Sequence, residues 1–358
     1  MDIKVRIGDA AKCGDYAYFS NAASNGLYRI HTSTYEVEFL DFFPNERIDA
    51  VLLHKRCFAY GNKLVFVPAL SRKIVVYNVD SRSFVQVDFD NDIDGEAVLD
   101  AMKIDNSVYI FKRHTSCELI KFDIDLMQST YVEEFGSLID KYVSKDNPDK
   151  FYRISYYDGH FYFGLSETDI IAVWDMHNNK IDTLHTGMDR IINVIRKEDH
   201  LLFSLRDKYG IGSLTIDTSE VKFLECNNSL DVDGNTYGCM FAYNEYVITA
   251  PAFGKYIHGY KEDKLVFEYM LNEQVENDYK FYRYMEVEDD VWLLPIDTDE
   301  IYVLKKNLEI EHYSVDVDDE TKRMVLARLL KERLISDNLL YEEDVYSLGA
   351  FLNMVKEG

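Results

Sequence analysis

The chain has 358 residues and a formal charge of −25, from 39 Lys and Arg against 64 Asp and Glu. That excess of negative charge opposes adsorption to phosphate backbones and anionic lipid, which excludes nucleic acid and membranes as general partners. Hydrophobic residues make up 47% and aromatics 14%, enough for a large core of half-buried strands, and no apolar run is long enough for a transmembrane helix.

The opening residues, MDIKVRIGDA, lack a basic region followed by an apolar run, so a cytoplasmic location is expected. Seven strand-like runs then recur: YAYFS from Tyr16, LVFVP from Leu64, VYIF from Val108, FYFGL from Phe161, LLFSL from Leu201, YVITAP from Tyr246 and VWLLP from Val291. Their spacing runs from 40 to 53 residues, with a mean near 46. Most are preceded by a polar turn (Gly14-Asp15, Asp105-Asn106, Asp158-Gly159, Glu198-Asp199, Asn244-Glu245, Asp289-Asp290) and, before it, by another apolar run. Two further runs follow each one. The clearest example is Lys73 to Phe89, where alternation on both sides of Asp80, Ser81 and Arg82 reads as a β-hairpin. Four strands in about 46 residues is the length of one propeller blade.

This pattern resembles the seven-bladed β-propellers, kelch-like or WD-repeat-like in pattern only, over about 315 residues. The kelch double glycine is absent and Trp174-Asp175 is the sole WD pair, so no functional residue of either family carries over. The resemblance implies an all-β fold, a seven-bladed β-propeller over 1–317. Blades 1 and 7 can each be built without borrowing a strand, which leaves closure by an exchanged strand open.

Two helical segments interrupt this pattern. The insertion Glu133 to Pro148 has helical spacing at Phe135, Leu138, Ile139 and Tyr142, which reads as a lid, a partner contact or a space-filling surface helix above blade 3. After Asp318 the period changes from 2 to about 3.6. Residues 318–358 are expected to form a short C-terminal α-helical tail. Asp318 would be its N-cap and Val325, Leu326, Leu329, Leu330 and Leu334 its apolar face, with Val345, Leu348, Phe351, Leu352 and Val355 on a second helix. Such helices either pack on a blade edge or the bottom of the ring, or dock a partner protein or second copy. The five cysteines are odd in number and lack a CxxC, so reduced core thiols are expected and no metal site.

In a propeller the D-to-A and B-to-C loops share the face that opens onto the central channel. Arg72, Lys73, Lys112, Arg113, His114, Arg206, Lys208 and Lys255 fall on B-to-C loops, and Arg47, Lys150, Arg153, Arg190, Lys280 and Arg283 on the chain entering inner strands. Positive charge focused at a concave mouth attracts anions, and Arg matches carboxylate or phosphate with a planar fork. The tetrapeptide Lys150-Phe151-Tyr152-Arg153 recurs as Lys280-Phe281-Tyr282-Arg283 in blades that lie nearly opposite. The expected ligand site therefore contains Arg153, Arg283, Arg113, Arg206, Arg72 and Lys255, with Tyr152 and Tyr282 as walls. Its ligand would be an acidic glycan, a phosphorylated or nucleotide-linked metabolite, or an acidic peptide, held by a recognition or scaffold propeller.

The alternatives are a lyase or hydrolase of an acidic saccharide, and a protein-interaction scaffold using the C-terminal helices. For proton transfer the candidates are His114, Tyr209 and Tyr256, since neither HExxH nor GxSxG is present. A calcium site is a weaker candidate. Asp90, Asp92 and Asp94 read DxDxDG, but position nine is Val98 and position twelve Ala101, so Asp100 would have to close the loop.

Overall fold

The computed structural model describes residues 4–89, 96–113, 117–132, 135–144, 146–206, 208, 210–226, 236–262, 264–271 and 280–336. Seven antiparallel four-stranded sheets follow one another: blade 1 is β1–β4 (7–41), blade 2 β5–β8 (54–88), blade 3 β9–β12 (98–132), blade 4 β13–β16 (155–185), blade 5 β17–β20 (191–225), blade 6 β21–β24 (236–270) and blade 7 β25–β28 (281–314). The chain is a seven-bladed β-propeller.

Tight turns set the register inside each blade. The turn between a blade's first two strands puts its first residue in the left-handed region in all seven blades: Gly14, Gly61, Asp105, Asp158, Glu198, Asn244 and Glu288, with φ between 46° and 61°. Two-residue hairpins whose twist matches the strands need this conformation, and Gly, Asn and Asp tolerate it best. In blade 7 Val287 pairs with Asp290, so the turn is Glu288-Asp289, one residue earlier than the sequence spacing suggests.

Each second strand is apolar on both faces because it is covered on both sides: Leu64, Val65, Phe66 and Val67 are all buried. The outermost strands alternate, as in Ser83–Asp88, because one face meets water. A separate apolar cluster fills each of the seven blade interfaces. Blade 7 closes on blade 1 through Met285, Trp292, Leu294 and Val303 packed against Val5, Ile7, Phe19 and Tyr28. Every blade uses four consecutive strands, so side-chain packing closes the ring without strand exchange.

The C-terminal helix forms as expected but docks elsewhere, and the insertion helix is shorter than its spacing suggests. The insertion after blade 3 forms only a five-residue helix, α1 (Phe135–Ile139), and its Phe135 and Ile139 are fully buried among Phe111, Phe163 and Trp174. Phe135 and Ile139 are thus spent as a plug between blades 3 and 4, with Leu138 partly buried and Tyr142 left exposed. Helix α2 (Asp319–Ser336) starts where the period change predicts, with the Thr321 amide donating to Asp318 Oδ1 at 2.7 Å. It lies neither on a blade edge nor on the bottom. The Ile48 amide, in the loop entering blade 2, donates to Glu332 Oε2 at 2.8 Å, and the Arg328 guanidinium sits 5.1 Å from the Phe42 ring centroid. That contact puts α2 on the top face. The second helix of the tail lies outside the described residues.

Candidate functional site

The top face holds a cavity of about 790 Å³, in the size range of small-molecule sites. Its wall comes from the chain entering β1 (Lys4, Arg6), the loop and first residues leading into β5 (His54–Tyr60), the chain ahead of blade 4 (Arg153) and the start of β25 (Phe281–Val287). Val325 and Leu329 of α2 supply an apolar side. These segments converge because innermost strands of a propeller all face the axis and enter it from the same side.

Beneath the cavity lies an ion hub. Asp100, in β9 (Val98–Ile104), is 1% exposed and accepts from Arg283 Nη2 at 2.7 Å and Arg56 Nη1 at 3.1 Å through Oδ1. Arg56 also donates to Asp9 Oδ2 at 3.1 Å. Blades 1, 2, 3 and 7 are thereby tied across the channel. Burial alone would raise the Asp100 carboxyl, but Arg283, Arg56 and Arg153 outweigh it and hold the group down at about 2. Burial, with Arg153 and Arg56 nearby, pushes the Arg283 guanidinium down to about 9 despite Asp100. Three arginines thus share too little negative charge.

Arg153 is the one left over. Its guanidinium sits 5.1 Å from the Tyr282 ring centroid, a cation–π contact between blades 4 and 7. Among the described residues neither Arg153 nor Arg6 makes an ion pair. The cavity wall as a whole carries six cations, Lys4, Arg6, Lys55, Arg153, Lys280 and Arg283, against three carboxylates, Asp49, Glu96 and Asp297. A local excess of three positive charges inside a chain of −25 is a marked reversal of sign.

Of the residues expected at the ligand site, Arg153, Arg283 and Tyr282 come together here, joined by Lys280 of the same tetrapeptide and by Val325 and Leu329 of the tail. The others do not join them. Arg113 is held by Asp149 in a bidentate pair at 2.7 and 2.9 Å. Arg206 donates to the Tyr152 hydroxyl at 3.3 Å, beside Glu167, at a separate place on the rim. Arg72 and Lys255 do not line the cavity, and Tyr256 stacks on His258 with ring centroids 5.9 Å apart. Lys112, Lys73, Arg190 and Lys150 pair with Glu118, Asp88, Glu167 and Asp140. Most loop cations are thus neutralised by acids close by, which a count of basic residues cannot reveal.

His114, Tyr209 and the calcium candidates Asp90, Asp92 and Asp94 lie outside the described residues. Asp100, the acid needed to close a calcium loop, is committed to Arg56 and Arg283, while Val98 and Ala101 are buried in β9.

Sequence reading misses Lys4, Arg6, Lys55 and His54 because the first β-run had no visible partner motif and His54 lies in a segment without a pattern. His54 Nδ1 is 2.9 Å from the Ser20 hydroxyl, and its ring packs against Phe43 and Phe66 with centroids 4.4 and 5.4 Å away. Burial lowers its pKa to about 3, so it is neutral at physiological pH. Its Nε2 is sheltered and has no hydrogen-bond partner among the described residues.

No model of a protein family matches the chain, and no curated protein sequence does either. Among solved structures it is similar to Kluyveromyces lactis Hsv2 (TM-score 0.57, 10% identity, 87% of this chain and 100% of that one). It is also similar to virginiamycin B lyase from Staphylococcus aureus (TM-score 0.56, 13% identity, 73% and 84% covered). A third similar structure is the extracellular domain of a putative hybrid two-component system from B. thetaiotaomicron (TM-score 0.58, 11% identity, 82% and 37% covered). Identities this low establish the propeller fold alone.

Proposed function

We propose that the protein is a recognition propeller whose channel mouth binds a small anionic ligand, a carboxylate or phosphate carried on a sugar-like or partly apolar body. The observation that carries this reading is the six-to-three excess of cations over carboxylates around a 790 Å³ cavity, with Arg153 making no ion pair among the described residues. At a concave mouth lined partly by buried groups such charge is screened less than on an open surface, and an anion offers the missing counter-charge. Arg153 would take the anionic group in its fork while remaining stacked on Tyr282. Val325 and Leu329 would cover the less polar face. The described apolar face of the tail is thus used inside the molecule, which favours this reading over a partner-docking tail.

A second reading, a lyase or hydrolase acting on an acidic saccharide, draws on the neutral His54 in the same wall. The name of one similar structure, a lyase, raises the possibility of such chemistry in this fold and no more.

The test is a thermal-shift screen of glucuronate- and galacturonate-type sugars, nucleotide sugars and sugar phosphates, each against its uncharged counterpart. A ligand at 100 times its Kd stabilises by about 2.7 kcal/mol, or about 3–4 °C for a chain of this length. Stabilisation by an anion and not by its neutral counterpart supports the reading. No shift with any class refutes it, and turnover of a stabilising saccharide moves the assignment to the enzyme.

A further inference from the structure

At the other side of the ring, three side chains from blades 5 and 6 converge. Cys226 follows β20 (Val221–Glu225) at the exit of blade 5 and is buried. His258 lies in β23 (Tyr256–Lys261), fully buried, directly opposite the partly exposed Glu268 of β24 (Lys264–Met270). The distances are 3.6 Å from Cys226 Sγ to His258 Nε2 and 3.3 Å from that nitrogen to Glu268 Oε2. All three donor atoms lie within 4.8 Å of one another.

These separations can be compared with what an ion demands. With bonds of about 2.3 Å to thiolate sulfur and about 2.0–2.1 Å to imidazole nitrogen and carboxylate oxygen, tetrahedral angles place S and N about 3.6 Å apart and N and O about 3.4 Å apart. The two measured distances match both values. The imidazole is also oriented for the task. Its Nδ1 is 2.6 Å from the Tyr237 hydroxyl, which is itself 2.8 Å from the Tyr260 hydroxyl. A proton on Nδ1 donated to Tyr237 leaves the Nε2 lone pair facing Cys226 and Glu268, the outer-shell arrangement typical of metal-bound histidine.

We propose that Cys226, His258 and Glu268 form a binding site for a single divalent transition ion, Zn²⁺ by its donor set of one soft thiolate, one imidazole and one carboxylate. Binding makes three bonds to the ion and releases the Cys226 thiol proton to solvent, with no change of oxidation state. Three protein donors leave a fourth position for water or another ligand. The site lies where the apolar packing is thinnest. Among the described residues the cluster between blades 5 and 6 has five buried members, against sixteen between blades 3 and 4. An ion there would fasten the exit of blade 5 to the outer strands of blade 6.

The test uses the full chain, purified without a metal-binding tag and stripped with chelator, then titrated with Co²⁺ as a spectroscopic probe and with Zn²⁺ in competition. One equivalent of Co²⁺ should give a near-ultraviolet thiolate-to-cobalt absorption that Zn²⁺ abolishes and that Cys226→Ser lacks. Glu268→Gln, at a partly exposed position of an outermost strand, should leave melting in chelator unchanged. It should also weaken ion binding by at least the 10- to 100-fold that loss of an outer-shell partner costs. Absence of the charge-transfer band in wild type, or an identical titration in Cys226→Ser or Glu268→Gln, overturns the proposal and leaves these residues a buried hydrogen-bonded network.

Discussion

The same four residues, Lys-Phe-Tyr-Arg, stand at 150–153 and 280–283, and their surroundings give them different work. The phenylalanines do the same thing in both, since Phe151 and Phe281 are fully buried. Lys150 is fully buried, 3.1 Å from Asp140 and donating to the Ser144 carbonyl at 2.7 Å, whereas the partly exposed Lys280 sits 2.9 Å from Asp297. Tyr152 belongs to the rim with Arg206, but Tyr282 lies under Arg153. Arg283 is locked to Asp100, while Arg153 has no such acid among the described residues. One copy therefore supplies structure with its lysine and leaves its arginine to the cavity, and the other reverses the assignment. Identical sequence is no guide to identical role when the difference comes from a neighbour on a third blade.

The largest effect should come from breaking the hub that makes Arg283 structural. Asp100→Asn leaves Arg283 and Arg56 buried without their shared carboxylate, and chemical unfolding should show a loss of about 3–5 kcal/mol. The two lysines sharpen the contrast next. Lys150→Ala should cost about 3 kcal/mol in the same assay, because Asp140 is left without its cation in a site that water hardly reaches, while Lys280→Ala should cost about 0–1 kcal/mol.

A smaller effect concerns His54. Its folded pKa of about 3 lies below the ordinary 6.5, so below pH 6.5 the unfolded chain takes up a proton that the folded one refuses. Its contribution is intact above pH 6.5 and is lost as pH falls toward 3, by at most about 1.4 kcal/mol per pH unit. Urea unfolding at pH 7 and pH 5 should show that part of the slope disappear in His54→Gln. The smallest expected effect on stability is that of Arg153→Ala, within about 1 kcal/mol of wild type, since no ion pair among the described residues is broken and repulsion from Arg283 and Arg56 is relieved.

The blades were legible because period-2 alternation and turn residues are local signals, repeated seven times, and a mistake in one is corrected by the others. The start of α2 was legible for the same reason, through Asp318 and a change of period. Its docking place was not, because that depends on Glu332 meeting the Ile48 amide, a contact between residues 284 apart in sequence. The repeat of Lys-Phe-Tyr-Arg pointed to Arg153 and Arg283 through the ring geometry of blades 4 and 7. Nothing in it pointed to Asp100, which the sequence offers only as a stand-in calcium ligand. The Cys226, His258 and Glu268 cluster was invisible because its members are 32 and 10 residues apart, a spacing set by blade geometry rather than by any short motif.

The central claim, that Arg153 serves a ligand and Arg283 the fold, is tested most directly by calorimetric titration of wild type and Arg153→Ala with the anion that best stabilises the wild-type chain. The account predicts one site on wild type and at least a tenfold weaker Kd for Arg153→Ala, whose unfolding midpoint without ligand is unchanged. Equal affinity in the two proteins, or a variant that loses binding only because it has lost its fold, would contradict it.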